Sequence, residues 1–322
     1  MKVNQIITVI LFLSISTLSA QTLGEFKPGK SGPKTLESRK FDSKEVFIAD
    51  FAVHYQVYAE ESTTNKGGTS FVKGIMGKAK ASLAVGLDIP TATIEKITND
   101  SYANFVADLK AQGFNILNPE VAKNTNYYKD YKYSTNLAMI PSPTKEGAVL
   151  VHPQNIGFFY KEKGANASYT KLSTELNDAA VIRVDVYIDF VKMGDFNKGF
   201  GASVNAKTNL VMSEQNTIIH FVVGRNKIGG SPLAEYQGII KKDLDIDGVI
   251  KEEKITSYAQ SDYDNKGVET AFGTLYTAKN TTSSKVALVP ADANKYEMGV
   301  TEALNVFLEH HIKEFYSKFY KK

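Results

Sequence analysis

Residues 181–191 carry the pattern that most narrows the fold. Ile182, Val184, Val186, Ile188 and Phe190 alternate with Arg183, Asp185, Tyr187 and Asp189. Successive side chains of a strand point to opposite faces, so a period of two specifies a β-strand with one face in a core. The opposite face is then charged. A helix would scatter the same residues around its circumference. The pattern recurs over 46–58, where Phe47, Ala49, Phe51, Val53, Tyr55 and Val57 are expected on one face. Asp50, His54 and Gln56 fall on the other, with Val46 and Ile48 at its start, so that end is expected to be buried on both sides. Residues 202–212 and 218–223 read as further strands of the same sheet.

Elsewhere the period lengthens. Ile94, Ile97, Phe105, Val106 and Leu109 lie at helical spacings over 93–112, and Gly113 follows as a stop. The apolar run 114–117 reads as a short strand. Asn118-Pro119-Glu120 has the chemistry of a helix start: a cap, a proline in the first turn and an acid at the positive dipole end. Strand, helix, glycine and strand in that order suggest a crossover with a parallel pair. Over 293–320, Val300, Leu304, Phe307, His311, Ile312, Phe315 and Phe319 form a broad apolar stripe. The expected architecture is one sandwich-like α/β (or α+β) domain over 46–322. It combines a mixed sheet, helices packed on it and a long C-terminal helix.

The N-terminal residues are not expected to belong to that domain. Residues 1–20 have one charge (Lys2), an apolar run over 6–13 and small residues up to Ala20. That is the layout of a signal peptide cut near Ala20, and its apolar run is far short of the about 20 residues a transmembrane helix needs. Residues 21–45 are rich in Lys, Gly, Pro and Ser and read as an extended leader. No later segment is apolar enough to predict a transmembrane helix. The expected product is exported, either periplasmic or secreted.

Composition removes several chemistries. The chain has 322 residues and no cysteine, which excludes disulfide staples, thiolate metal sites, a cysteine nucleophile and a lipidated cysteine. A net charge of +3 gives no reason to expect a nucleic-acid partner. Gly229-Gly230-Ser231-Pro232 lacks the spacing of a nucleophile elbow, and no phosphate-loop or His-Glu-x-x-His motif occurs.

Three groups of residues remain as candidates. Asp243, Asp245 and Asp247, followed by Gly248, match the opening of a calcium loop, because calcium takes several hard oxygens and the glycine permits the turn. The twelfth position is Lys254 where a bidentate Glu is needed; the plainer reading is a strand running into a turn at Asp247-Gly248. Tyr127, Tyr128, Tyr131 and Tyr133 form a dense aromatic stretch. It suits a ligand surface for sugar or protein, or else a partly buried helix end. Residues 67–87 mix Gly, Ala and Lys with a few apolar residues. They read as a surface helix, with a mobile or membrane-active segment as the alternative. Asp50 and His54 share a strand face at about 13 Å, as do Asp185 and Asp189, so neither pair can act together directly.

The segments VFIADF at 46–51, GFNIL at 113–117, DAAVIRVDVYIDFV at 178–191 and GVTEALNVFLEHHIKEF at 299–315 occur in an order that resembles the periplasmic domain of the curli-secretion-channel family. The helix at 93–112 fits the same order. The resemblance implies an α/β sandwich and a non-enzymatic role in the bacterial envelope.

The functional expectation is a non-catalytic exported envelope protein that binds an envelope protein or a glycan, without a cofactor. The alternatives are a hydrolase whose acids, drawn from Asp50, His54, Asp185 and Asp189, converge only in space, and a calcium-binding surface protein.

Overall fold

A computed structural model describes residues 23–31, 41, 43–65, 79–161, 169–196, 203–225, 229–258 and 286–320. The candidate signal peptide lies outside them. The first elements are strands β1 (Pro28–Ser31), β2 (Glu45–Gln56), β3 (Tyr58–Asn65) and β4 (Ala79–Asp88), then helix α1 (Thr91–Ala111). Next come β5 (Asn115–Ile116), a 3₁₀ turn (Pro119–Asn124), β6 (Lys132–Ser134), β7 (Ile140–Pro141), β8 (Ala148–Val151), β9 (Phe158–Tyr160) and helix α2 (Thr170–Glu175). The second half runs β10 (Ala180–Phe196), β11 (Ser203–Met212), β12 (Ile218–Val223), β13 (Ala234–Ile240), β14 (Leu244–Asp245), β15 (Lys254–Tyr258) and β16 (Val286–Pro290). Helix α3 (Ala293–Phe319) closes the chain.

The large sheet has 11 strands, with the central order β1-β13-β12-β10-β2-β8-β7. It is mixed: β10 and β5 both run parallel to β2, while β12 and β13 run antiparallel to their neighbours. The β2–β5 pair is the crossover foreseen from the sequence, with the β3–β4 hairpin inserted before its helix. β10 is long enough to serve two neighbours on one side. Its first half pairs with β12, and its second half turns away to pair with β11, which carries β14 and β15. A three-stranded sheet of β16, β4 and β3 packs against that second half. The class is α+β, with mixed sheets and a long C-terminal helix.

Helices α1 and α3 pack on each other and cover one face of the sheet. α1 ends where Gly113 takes φ +82°, a conformation that favours glycine. α3 starts on Asp292, whose carboxylate accepts from the amides of Asn294 and Lys295. Every member of its sequence-predicted stripe is buried. Lys96 with Glu297, and Asn104 with Asn305, tie the two helices together at the surface. Gly238 allows the close approach of α3 to β13, because a Cβ there would lie 2.5 Å from the His311 ring.

The alternation in β2 is broken, contrary to the sequence pattern. Ile182 pairs with Ile48, but Arg183 pairs with Asp50, so Ala49 is an extra residue in a β-bulge. Val46, Ile48, Phe51, Val53, Tyr55 and Val57 therefore face the helices, whereas Phe47 and Ala49 turn to the opposite side. There they join Tyr127, Tyr128, Leu172, Leu176 and Val181 in a second, smaller core. The bulge is what lets one strand serve two cores.

Two further expectations are corrected. Residues 79–88 are a strand in the small sheet and not part of a surface helix; 66–78 lie outside the described residues. Part of the 21–45 leader is structural as well, since β1 extends the large sheet by pairing with β13.

Candidate functional site

The face of the large sheet that is turned away from α1 and α3 is polar along its centre. β10 contributes Arg183, Asp185, Tyr187 and Asp189, as its period requires. The bulge at Ala49 brings Asp50 beside Arg183 and His54 beside Tyr187. β12 places His220 on the other flank of Arg183, and His152 follows directly after β8.

These side chains form ion pairs along and across the strands. Arg183 Nε lies 2.6 Å from Asp185 Oδ2, and His54 Nε2 lies 3.6 Å from Asp185 Oδ1. Both contacts have the closeness of an ion pair without the alignment of a full hydrogen bond. His152 Nε2 approaches Asp50 Oδ1 at 3.2 Å, and His220 Nε2 approaches Glu235 Oε1 at 2.8 Å. Asp189 pairs with Lys145 from the loop after β7. The His54 ring stacks on Tyr187 at 4.1 Å between centroids, nearly parallel. Tyr187 in turn meets Thr144 Oγ1 through its hydroxyl at 2.6 Å.

Burial and charge compete at Asp185, which is 5% exposed. Burial alone would raise its pKa, but His54 and the Arg183 guanidinium outweigh that and hold the carboxyl below its usual range. Asp185 is therefore an anion wedged between two cationic or proton-donating groups. His220 moves the other way for a histidine in contact with an acid: burial lowers its pKa more than Glu235 raises it.

Ser142 extends this network in a direction that sequence motifs did not signal. Its Oγ lies 2.8 Å from His54 Nδ1, which produces a Ser–His–Asp series through Ser142, His54 and Asp185. The same Oγ accepts from the amides of Thr144 and Lys145 at 3.3 and 3.1 Å. Those bonds close a turn and occupy the lone pairs that a nucleophile would use.

A cavity of about 580 Å³ opens on this face, within the ~300–1,000 Å³ range of small-molecule sites. Arg183, Asp185, Tyr187 and His220 form its sheet side, with the neighbouring Ile218 and Ile239. Glu214, Asn216 and Thr217 reach in from the β11–β12 turn, and Thr144 from the loop after β7. Of the four acids and histidines first considered for convergence, Asp185 lines the cavity directly. His54 lies behind it, and Asp50 and Asp189 are engaged by His152 and Lys145. A second cavity, of about 570 Å³, lies between β10, β11 and β15 and is lined by Lys192, Lys207 and Lys254 together with Glu252 and Glu253.

The tyrosine stretch is mainly a packing device. Tyr127 and Tyr128 are buried, and Tyr128 stacks on Phe159 at 4.0 Å while reaching Phe47 at 6.2 Å. Tyr131 and Tyr133 are half-buried, and Lys123 covers the Tyr133 ring at 4.0 Å. Tyr127 and Tyr128 thus do not offer the exposed rings that a ligand surface there requires. Asp243 and Asp245 of the candidate calcium loop likewise have protein partners. Asp245 belongs to β14, and its carboxylate accepts from Asn209 Nδ2 at 2.8 Å. Asp243 pairs with Lys192 and accepts from the Glu214 amide at 2.9 Å. Among the described residues no three acidic or histidine side chains gather as a metal site. No described helix is long and apolar enough to cross a membrane.

Arg183, Asp185 and Tyr187 were visible in the sequence as the polar side of an alternating strand. Ser142, Thr144, Glu214 and Asn216 were not, because turn residues of these types are too common to stand out. Comparison of the chain with protein-family models, curated proteins and solved structures gives no match.

Proposed function

We propose that this is a non-catalytic, exported protein of a bacterial envelope that binds an envelope protein or a glycan at the polar face of its large sheet. The observation that carries this reading is the cavity over β10, where the charged groups of the sheet wall are already paired. Arg183 is held by Asp185, and His220 by Glu235. Such walls present fixed donors and acceptors without a group poised to react, which suits recognition. The layout of residues 1–20 supports export, and the resemblance of the strand and helix segments to a curli-secretion-channel domain supports placement in the envelope. The test combines capture of envelope components by the mature chain with turnover assays on glycan and peptide libraries. Stable capture without turnover is the expected outcome. Turnover abolished by Asp185→Asn would overturn the reading.

A second reading, a hydrolase, has one observation in its favour: the series Ser142, His54, Asp185. A serine-directed fluorophosphonate probe decides it, because a nucleophilic Ser142 would be labelled and Ser142→Ala would not.

A further inference from the structure

We infer that the cavity over β10 takes an uncharged saccharide, a mono- or disaccharide unit; this rests on the binding reading above and names its ligand class. The argument begins with charge. The cavity wall carries one fixed cation, Arg183, directly against the Asp185 anion, and a second anion, Glu214, on the facing turn. A ligand carboxylate or phosphate placed on Arg183 would meet Asp185 at short range and Glu214 on the facing turn of the same cavity. A ligand amine placed on Asp185 would meet the guanidinium. An uncharged ligand avoids both penalties, provided that it can donate and accept hydrogen bonds at closely spaced positions.

The chemistry of the wall fits that description. Asp185 and Glu214 accept only, Arg183 donates only, and the Asn216 amide and the Thr144 hydroxyl do both. Vicinal hydroxyls of a sugar each donate and accept, so the exposed Glu214 carboxylate and Asn216 amide on the turn, with the Arg183 guanidinium on the sheet, can serve neighbouring hydroxyls. The cavity also has an apolar strip. Ile218 and Ile239 are register partners on β12 and β13, both half-buried, next to the Arg183–Asp185 pair. A strip of that kind accommodates the C–H face of a pyranose while its hydroxyls turn to the polar wall.

The positions are held firmly. Asn216 sits in the β11–β12 turn at φ +66°, which presents its side chain from a constrained backbone. Thr217, beside it, is buried, and its Oγ1 accepts from the Tyr187 amide at 3.1 Å. The turn is thereby fixed to the strand that forms the opposite wall.

The experiment is calorimetric titration of the mature full-length protein with a panel of neutral mono- and disaccharides, alongside a uronic acid and a hexosamine. The variants are Glu214→Ala, which removes an exposed cavity acceptor, and Asn216→Gly, which keeps the turn conformation while deleting the amide. Lys313→Ala on the outer face of α3 serves as control. The expected result is binding of at least one neutral sugar, weakened about tenfold or more by each cavity variant and unchanged by the control. Neutral-sugar binding that ignores both cavity variants would overturn the inference. So would preference for the uronic acid or the hexosamine, or capture of an envelope protein with no sugar bound at millimolar concentration. These three outcomes leave the broader binding reading standing. Turnover of a bound sugar by the wild type is the outcome that overturns that reading instead.

Discussion

His311 shows how far one residue depends on its setting. Its ring is fully buried, with Nδ1 2.6 Å from the Tyr236 hydroxyl and Nε2 3.2 Å from the Ile239 carbonyl. A neutral ring satisfies both contacts, with Nε2–H donating to Ile239 and Nδ1 accepting from Tyr236. Burial, aided by neighbouring His310, pushes its pKa down to about 3. The folded value lies below the ~6.5 of an unfolded histidine. The native state thus binds fewer protons between those values. Its stabilising contribution is complete above pH ~6.5 and is lost as pH falls toward 3. Urea unfolding at pH 7 and pH 5 checks this: the wild type is expected to lose stability, and His311→Leu to lose less over the same interval. At pH 7 the variant starts lower by about 1–3 kcal/mol, because Tyr236 and Ile239 lose a buried partner. The aspartates of 243–247 supply the second prediction at this scale. Asp243 and Asp245 already have protein donors, so millimolar calcium is expected to leave the thermal midpoint unchanged. A calcium-dependent rise would show that these bonds yield to the ion.

Among the elements, β10 is the one that organises the rest, and its interruption depends on one side chain. Within the ladder between β10 and β11, the register shifts between Asp189 and Val191. Gln56, at the end of β2, places Oε1 3.1 and 3.2 Å from the amides of Phe190 and Val191. It supplies the acceptor that the irregular ladder withholds. Gln56→Ala would leave two buried amides without a protein acceptor, a cost of about 2–4 kcal/mol. Hydrogen exchange is expected to accelerate at Phe190 and Val191 ahead of the β10–β12 amides; uniform exchange across β10 would contradict that role. The bulge at Ala49 works on the same principle. It offsets β2 by one position so that Asp50 faces Arg183, and the polar site depends on that offset.

At the scale of the molecule, α3 links elements from both halves of the chain into one core. Phe315 is fully buried, stacked on Phe221 at 4.1 Å and close to Phe114 at 6.3 Å. Those two rings come from β12 and from the segment before β5. Phe315→Ala is expected to cost about 3–5 kcal/mol and to lower one shared transition, followed by far-ultraviolet dichroism and tyrosine fluorescence together. Separate midpoints for the two signals would mean that the large core does not unfold as a unit.

The sequence by itself determined the alternating strands, the two long helices and the polar side of β10. These follow from side-chain period, which is a local property that survives into the fold because each element must bury its apolar face. It also marked His311 as a core position, one turn from Phe307 and Phe315. Only the tertiary structure decided which polar residues meet. The bulge at Ala49 lies in a run of four apolar residues, Val46 to Ala49, that gives no sign of it, since an extra residue shows itself only against a partner strand. The tyrosines at 127 and 128 have the composition of a binding surface, yet Phe47 and Phe159 close over them. Ser142, Glu214 and Asn216 approach Asp185, or the cavity it lines, from turns far away in the chain. Their juxtaposition depends on strand order and register, which no local pattern encodes.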